Sequence, residues 1–291
     1  MNIKAEISQI INKQNGSPAY IRGKLFEQLK PFALFDAGVI PQSTMTIGWH
    51  PHSGVATITF PYDAKLNHAD SQGNGGTINS RGLQWMASGS GVWHKESYVA
   101  EQSSVTDKNS VAEKNHIGIL QLWLLLPPKE ETAPVRYFNL QPNEIPQVDN
   151  VRVLLGEYQG AHATLKAAEQ ISHNVSYLHV QLEKGQRFQW QLPKKQSRGF
   201  VYPMSGRLLI NQQSIETEQF ALLKEFDHSQ QVTLSIIAEA NSEFVVALTE
   251  PWPYEVVSHG GQIHTSKAAL AIGSKRIQAL GNELVQQGEI R

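Results

Sequence analysis

The chain has no cysteine. That absence removes disulfide scaffolds, thiolate zinc sites, cysteine nucleophiles and iron–sulfur clusters together. Net charge is nearly absent too. Against 25 Lys and Arg stand 26 Asp and Glu, a formal charge of −1, so no global attraction to nucleic acid or anionic lipid is expected. No hydrophobic run is long enough to span a bilayer: the greasiest, Ile117 to Leu126, is interrupted by Gln121 and stopped by Pro127 and Pro128. The opening MNIKAEISQIINKQNG lacks the apolar core of a signal peptide. With 22 Gly and 14 Pro in 291 residues, collagen-like and low-complexity chains are excluded. The expectation is a cytoplasmic globular protein with no membrane and no direct nucleic-acid partner.

What is present reads as β-structure. Short β-branched and aromatic runs such as Thr57-Ile58-Thr59-Phe60, Tyr177 to Leu182, Phe200 to Met204, Val232 to Ile237 and Glu243 to Leu248 recur at close intervals between turn clusters. That spacing predicts an all-β sandwich or barrel rather than a βαβ fold. Helical signal is confined to the ends: a segment capped by Ser266 and running through Leu284, weakened by Gly273 and Gly281, and a fainter candidate over Ile3 to Ile11. A polar, proline-bearing stretch, Pro127 to Pro134, divides the chain. The pattern Gly54 to Leu66 followed by Leu83 to Met86 is echoed by Gly199 to Ile210 followed by Phe220 to Leu223. Two stacked β-barrels follow, over 1–135 and 136–291, the second ending in a C-terminal helix.

Chemistry concentrates in His50-Pro51-His52 and His94-Lys95-Glu96. Residues i and i+2 of a strand share a face, so His50 projects with His52 and His94 with Glu96. If the barrel brings the two strands together, three imidazoles and one carboxylate converge. That set suits a divalent first-row ion, Fe, Mn, Ni, Cu or Zn, with coordination positions left for water, O2 or a chelating substrate. Because imidazole binds metal only when neutral, loading is expected to weaken below about pH 6. His68 and His116 read as polar strand-end residues able at most to brace a ligand, Gln121 and Trp123 as core, and His259 and His264 as surface.

The stretches PFALFDAG from Pro31, GWHPHSG from Gly48, HADSQGNGG from His68, QWMASGSGVWHKE from Gln84, GILQLWLLLP from Gly118, RYFNLQPNEIP from Arg136 and TEPWPYEVVSHGG from Thr249 resemble the pirin family, two-barrel members of the cupin superfamily. The resemblance implies a bicupin with His50, His52, His94 and Glu96 as metal ligands, iron(II) being the usual ion. Some bacterial pirins open the flavonol quercetin with O2, which implies a quercetin 2,3-dioxygenase-type enzyme with Glu96 as the catalytic base. Others are iron-dependent redox-sensing regulators that bind a protein partner, a transcription factor or a metabolic enzyme. The family's HPHRGFE continues here as His52-Ser53-Gly54-Val55-Ala56, losing an Arg and a Glu, and Ser80-Arg81-Gly82 replaces its Pro-Gly-Asp turn. In the second half, Lys194 to Gly199 holds no histidine, so the resemblance implies a metal-free second barrel.

Overall fold

The computed structural model describes residues 2–13, 19–101, 116–165, 174–227, 229 and 231–291. Strands dominate them, as the β-branched and aromatic runs require. They form two compact units, each drawn from two separate stretches: Met1–Asp36 with Ile145–Pro253, and Ala37–Glu144 with Tyr254–Arg291. These units are not the continuous halves 1–135 and 136–291, because both ends of the chain are exchanged.

In the first unit a seven-stranded sheet, running from Gln147–Val148 through Val175–Leu182 and Ser242–Thr249 to Ile7–Asn12, accompanies a five-stranded sheet centred on Gln231–Ala238. Their inner faces supply one core that includes Val153, Leu178, Trp190, Leu208, Leu234, Ile236 and Phe244. The opening segment is extended rather than helical. Asn2–Lys4 pairs in parallel with Gln231–Ala238, and Ile7–Asn12 pairs antiparallel with Gln219–Leu223. The weak helical period of 3–11 loses to the sheet edges on offer, where Ile7 and Ile10 pack against the core.

The second unit carries the HPH and HKE segments. One sheet orders the strands Thr44–His52, Val92–Ala100, Ala64–Asp70 and Gly75–Ile78. The opposing strands are Arg136–Leu140, Leu83–Ala87, Val55–Pro61 and Ile117–Leu125. Val55–Pro61 is buried along its whole length. Ala56, Ile58 and Phe60 form one face of it and Thr57 and Thr59 the other, so the second face is a buried polar wall.

The helix Lys267–Gln286 belongs to this unit, and the Ser266 hydroxyl caps it by accepting from Ala269 N at 3.2 Å. Its buried stripe is Ala269, Gly273, Ile277, Leu280, Gly281 and Leu284. Trp93 Nε1 donates to the Ile277 carbonyl at 2.9 Å. The two glycines that weaken the helical pattern are points of close approach. A Cβ on Gly273 would lie 2.6 Å from Ser53 Oγ and 2.7 Å from His264 Nε2, and one on Gly281 3.1 Å from the Trp93 ring. Helix propensity alone favours Gly273→Ala by about 1 kcal/mol. The crowding reverses the sign, and thermal unfolding of this variant is expected to show a loss of roughly 1–3 kcal/mol; a raised Tm would refute the close packing. Among the described residues, no helix is long and apolar enough to cross a membrane.

Candidate metal centre

The register between Thr44–His52 and Val92–Ala100 decides which way the histidines face. Ile47 pairs with Glu96, but His50 pairs with His94 and His52 with Val92. Gly48 and Trp49 therefore oppose Lys95 alone, a β-bulge. Had the ladder continued unbroken from Ile47, Trp49 would stand opposite His94, and both histidines would project outward with Trp93 and Lys95. The extra residue turns the HPH pair inward.

The inward rings gather closely. Centroids of His50 and His94 lie 4.1 Å apart, and those of His52 lie 5.0 Å from each of the other two. One donor atom from each of the three falls within 4.8 Å of the others. His94 and Glu96 form a second such group with His68, a residue whose sequence context favoured a polar strand end over a part in lining the pocket or bracing a ligand. His68 lies on Ala64–Asp70, directly opposite Glu96, and is buried.

Hydrogen bonds orient the rings. His50 Nδ1 donates to the Gly48 carbonyl at 2.8 Å and His52 Nδ1 to the Gly261 carbonyl at 3.3 Å, leaving each Nε2 as the free donor atom. His94 Nε2 is buried without a hydrogen bond, and the Glu96 carboxylate is buried with the Tyr98 hydroxyl beside it. Burial sets the proton affinities. It drives His52 down to about 4, with the neighbouring His50 adding to the effect, and His94 well below the ordinary imidazole range. It lowers His50 as well, against the Gly48 carbonyl bond. Burial pushes the Glu96 carboxyl up to about 7, with the Tyr98 hydroxyl pulling the other way. Burial thus favours the neutral form of all three imidazoles and the protonated form of Glu96.

The facing wall is polar. Gln84 Nε2 lies 2.9 Å from His68 Nδ1, Tyr137 stacks on His68 with centroids 4.8 Å apart, and Trp123 meets His52 edge-on at 4.6 Å. Thr59 pairs across the sheet with Gln84 and Gln121, and Thr57 with Met86 and Trp123, which puts them on this wall. Thr57 Oγ1, Thr59 Oγ1, Gln84 Oε1, Trp123 Nε1 and Tyr137 Oη are buried there without a hydrogen bond. Buried polar atoms are normally bonded, so this group of them on one wall stands out from the apolar cores.

His264, expected at the surface, is instead buried. Its Nε2 lies 2.8 Å from Ser53 Oγ and its Nδ1 3.2 Å from Glu131, which also accepts from Thr265 N and Thr265 Oγ1, each at 2.6 Å. The order Ser–His–carboxylate is that of a nucleophilic relay, but Gly273 seals it against substrate. It ties the Gln262–His264 strand to the segment after His52, with Ser53 standing where the family pattern has Arg. His116 sits 3.4 Å from Asp63, and His259 is exposed.

Residues 14–124 match the Pirin family model and residues 177–275 the model of the Pirin C-terminal cupin domain. A Pseudomonas aeruginosa protein named putative quercetin 2,3-dioxygenase is 29% identical over 255 residues, 84% of this chain and 83% of that protein. The crystal structure of a quercetin 2,3-dioxygenase from Acinetobacter baumannii aligns with a TM-score of 0.77 at 24% identity, covering 94% of this chain and 96% of that one. A bacterial pirin of Escherichia coli, solved in complex with nickel(II), aligns with a TM-score of 0.60 at 17% identity, covering 85% of this chain and 98% of that one. Both likenesses show the two-barrel cupin fold.

Proposed function

Because this chain belongs to the pirin family of two-barrel cupins, we propose that it is a metal-dependent dioxygenase of the quercetinase type, opening a flavonol with O2 at a centre held by His50, His52, His94 and Glu96. The observation that carries the reading is the donor set itself. Donor atoms of His50, His52 and His94 lie within 4.8 Å of one another, and Glu96 joins through the group it forms with His94 and His68. His94 Nε2 is buried with no hydrogen bond, while the buried Glu96 carboxylate has the Tyr98 hydroxyl beside it. Such atoms are costly to bury unless a ligand completes them. The nitrogen and oxygen donors fit a divalent transition ion, iron(II) foremost, with manganese, nickel, copper or zinc as other occupants. When bound, such an ion supplies Lewis acidity and redox capacity. The name of the Pseudomonas aeruginosa relative supports the substrate class.

The chain's own residues do the rest. Glu96, ionised once it holds the metal, accepts the proton of the flavonol 3-hydroxyl and leaves an electron-rich enolate. Trp123 and Tyr137 flank the imidazoles with aromatic surface for a flat polyphenol, and the unpaired oxygens of Thr57, Thr59 and Gln84 offer partners for its hydroxyl groups. Oxygen uptake with quercetin is the test. Uptake is expected from metal-loaded protein and is expected to fall to the metal-free level in His94→Ala. No turnover above the metal-free control with any of these ions overturns the proposal.

A further inference from the structure

Each imidazole of the set must hold its non-ligating nitrogen to something, or the ring is free to turn away. His50 and His52 do so with backbone carbonyls, of Gly48 and Gly261. Among the described residues His94 has no such carbonyl. Its Nδ1 lies 3.5 Å from His68 Nδ1, on a strand paired with its own. His68 is held in turn at its Nδ1 and its ring face, while its Nε2, which makes no hydrogen bond, is turned toward a carboxylate. Gln84 Nε2 reaches the same Nδ1 at 2.9 Å, Tyr137 stacks on the ring with an interplanar angle of 16°, and His68 Nε2 faces Asp70 Oδ2 at 4.0 Å. Asp70 is itself anchored, accepting from Gln72 N at 2.8 Å, Asn74 N at 2.9 Å and Asn74 Nδ2 at 2.9 Å.

Gln84 Nε2 can only donate, so His68 Nδ1 is the acceptor and the ring proton sits on Nε2, on the Asp70 side; the one Nδ1 lone pair is shared between Gln84 at 2.9 Å and His94 at 3.5 Å. We propose that His68 is the positioning residue of His94: the chain Asp70–His68–His94 holds the His94 ring so that Nε2 faces the metal position, the role the Gly48 and Gly261 carbonyls fill for the other two histidines. His68 thereby acts through His94 rather than as a ligand. The inference rests on the metal centre proposed above.

Two polar substitutions separate positioning from packing. In His68→Asn the side-chain carbonyl can occupy the place of Nδ1 and still accept from His94, whereas in His68→Gln it occupies the place of Nε2. Cobalt(II) alone is the probe, with affinity read by competition against a chromophoric chelator, the visible spectrum of the bound ion as the signature of its surroundings, and metal-free Tm as the check on folding. His68→Gln is expected to bind cobalt(II) about 10- to 100-fold more weakly, with a changed spectrum, and His68→Asn within a few-fold of wild type with the wild-type spectrum. Equal behaviour of the two variants, or weaker binding by Asn than by Gln, overturns the assignment. So does X-ray absorption showing one imidazole fewer around cobalt in His68→Asn, since that would make His68 a ligand. Wild type that binds no cobalt(II) would instead refute the metal centre itself.

Discussion

Glu96→Gln is expected to make the metal-free protein more stable at pH 8 while abolishing metal loading. Glu96 is fully buried within the site, and its carboxyl is pushed up to about 7 from an ordinary 4.5. Below pH 4.5 both the folded and unfolded chains carry this group protonated, and it contributes nothing adverse. As pH rises through that value the unfolded chain releases the proton first, so the folded state loses stability until its own carboxyl ionises near pH 7. The gap corresponds to roughly 3 kcal/mol above neutrality. Glutamine removes the ionisation and with it the penalty. Chemical denaturation of the metal-free protein should therefore show a gain of that order at pH 8 and little change at pH 4. A destabilised variant at pH 8 would mean that the carboxylate is satisfied within the fold. The same titration governs loading: at pH 6 metal binding is expected to release close to one proton, and progressively less above 7, by calorimetry in buffers of different ionisation heat.

Gly54→Ala carries the second large effect, in the opposite direction. Gly54 has φ +73°, a conformation that L side chains rarely adopt, and an added Cβ would lie 1.9 Å from the Ile263 carbonyl oxygen. Relief by local movement is blocked. Gly54 N donates to the Gly89 carbonyl at 2.9 Å, the Gly54 carbonyl accepts from Leu126 N at 3.0 Å, and Ser53 O accepts from Ile263 N at 3.0 Å. Backbone strain and overlap against main chain together are expected to remove about 4 kcal/mol or more, lowering Tm by roughly 10 °C or abolishing soluble expression. His52 lies two residues upstream, so surviving protein should also bind metal more weakly. A Tm within about 2 °C of wild type would show that the loop can move aside.

The all-β architecture was legible because strand composition and turn spacing are local properties, and the two i, i+2 pairs were legible because side-chain alternation is fixed by strand geometry alone. The direction in which His50 and His52 face was not. It depends on the bulge at Gly48 and Trp49, which a register count detects only once the partner strand is known. His68 was underestimated for a related reason: its neighbours Glu96, His94 and Gln84 lie across two sheets, and nothing in the local sequence of Ala64–Asp70 announces them. His264 and Glu131 are separated by most of the other unit, so their contact has no local signal either. The glycines within Lys267–Gln286 misdirected a propensity argument, since Gly273 and Gly281 serve contact rather than helix formation.

The interleaving of the units bears on how the protein is made. The chain crosses between them after residues 36, 144 and 253. During synthesis the stretch 37–144 leaves the ribosome with its imidazoles in place but without the Gly261 carbonyl behind His52 or the helix against Trp93. All of 145–253 must be translated before those pieces arrive, and contacts of such long sequence separation form slowly. A gene fragment cut at any crossing leaves one unit short of strands or of its helix, so neither unit is encoded as one continuous piece.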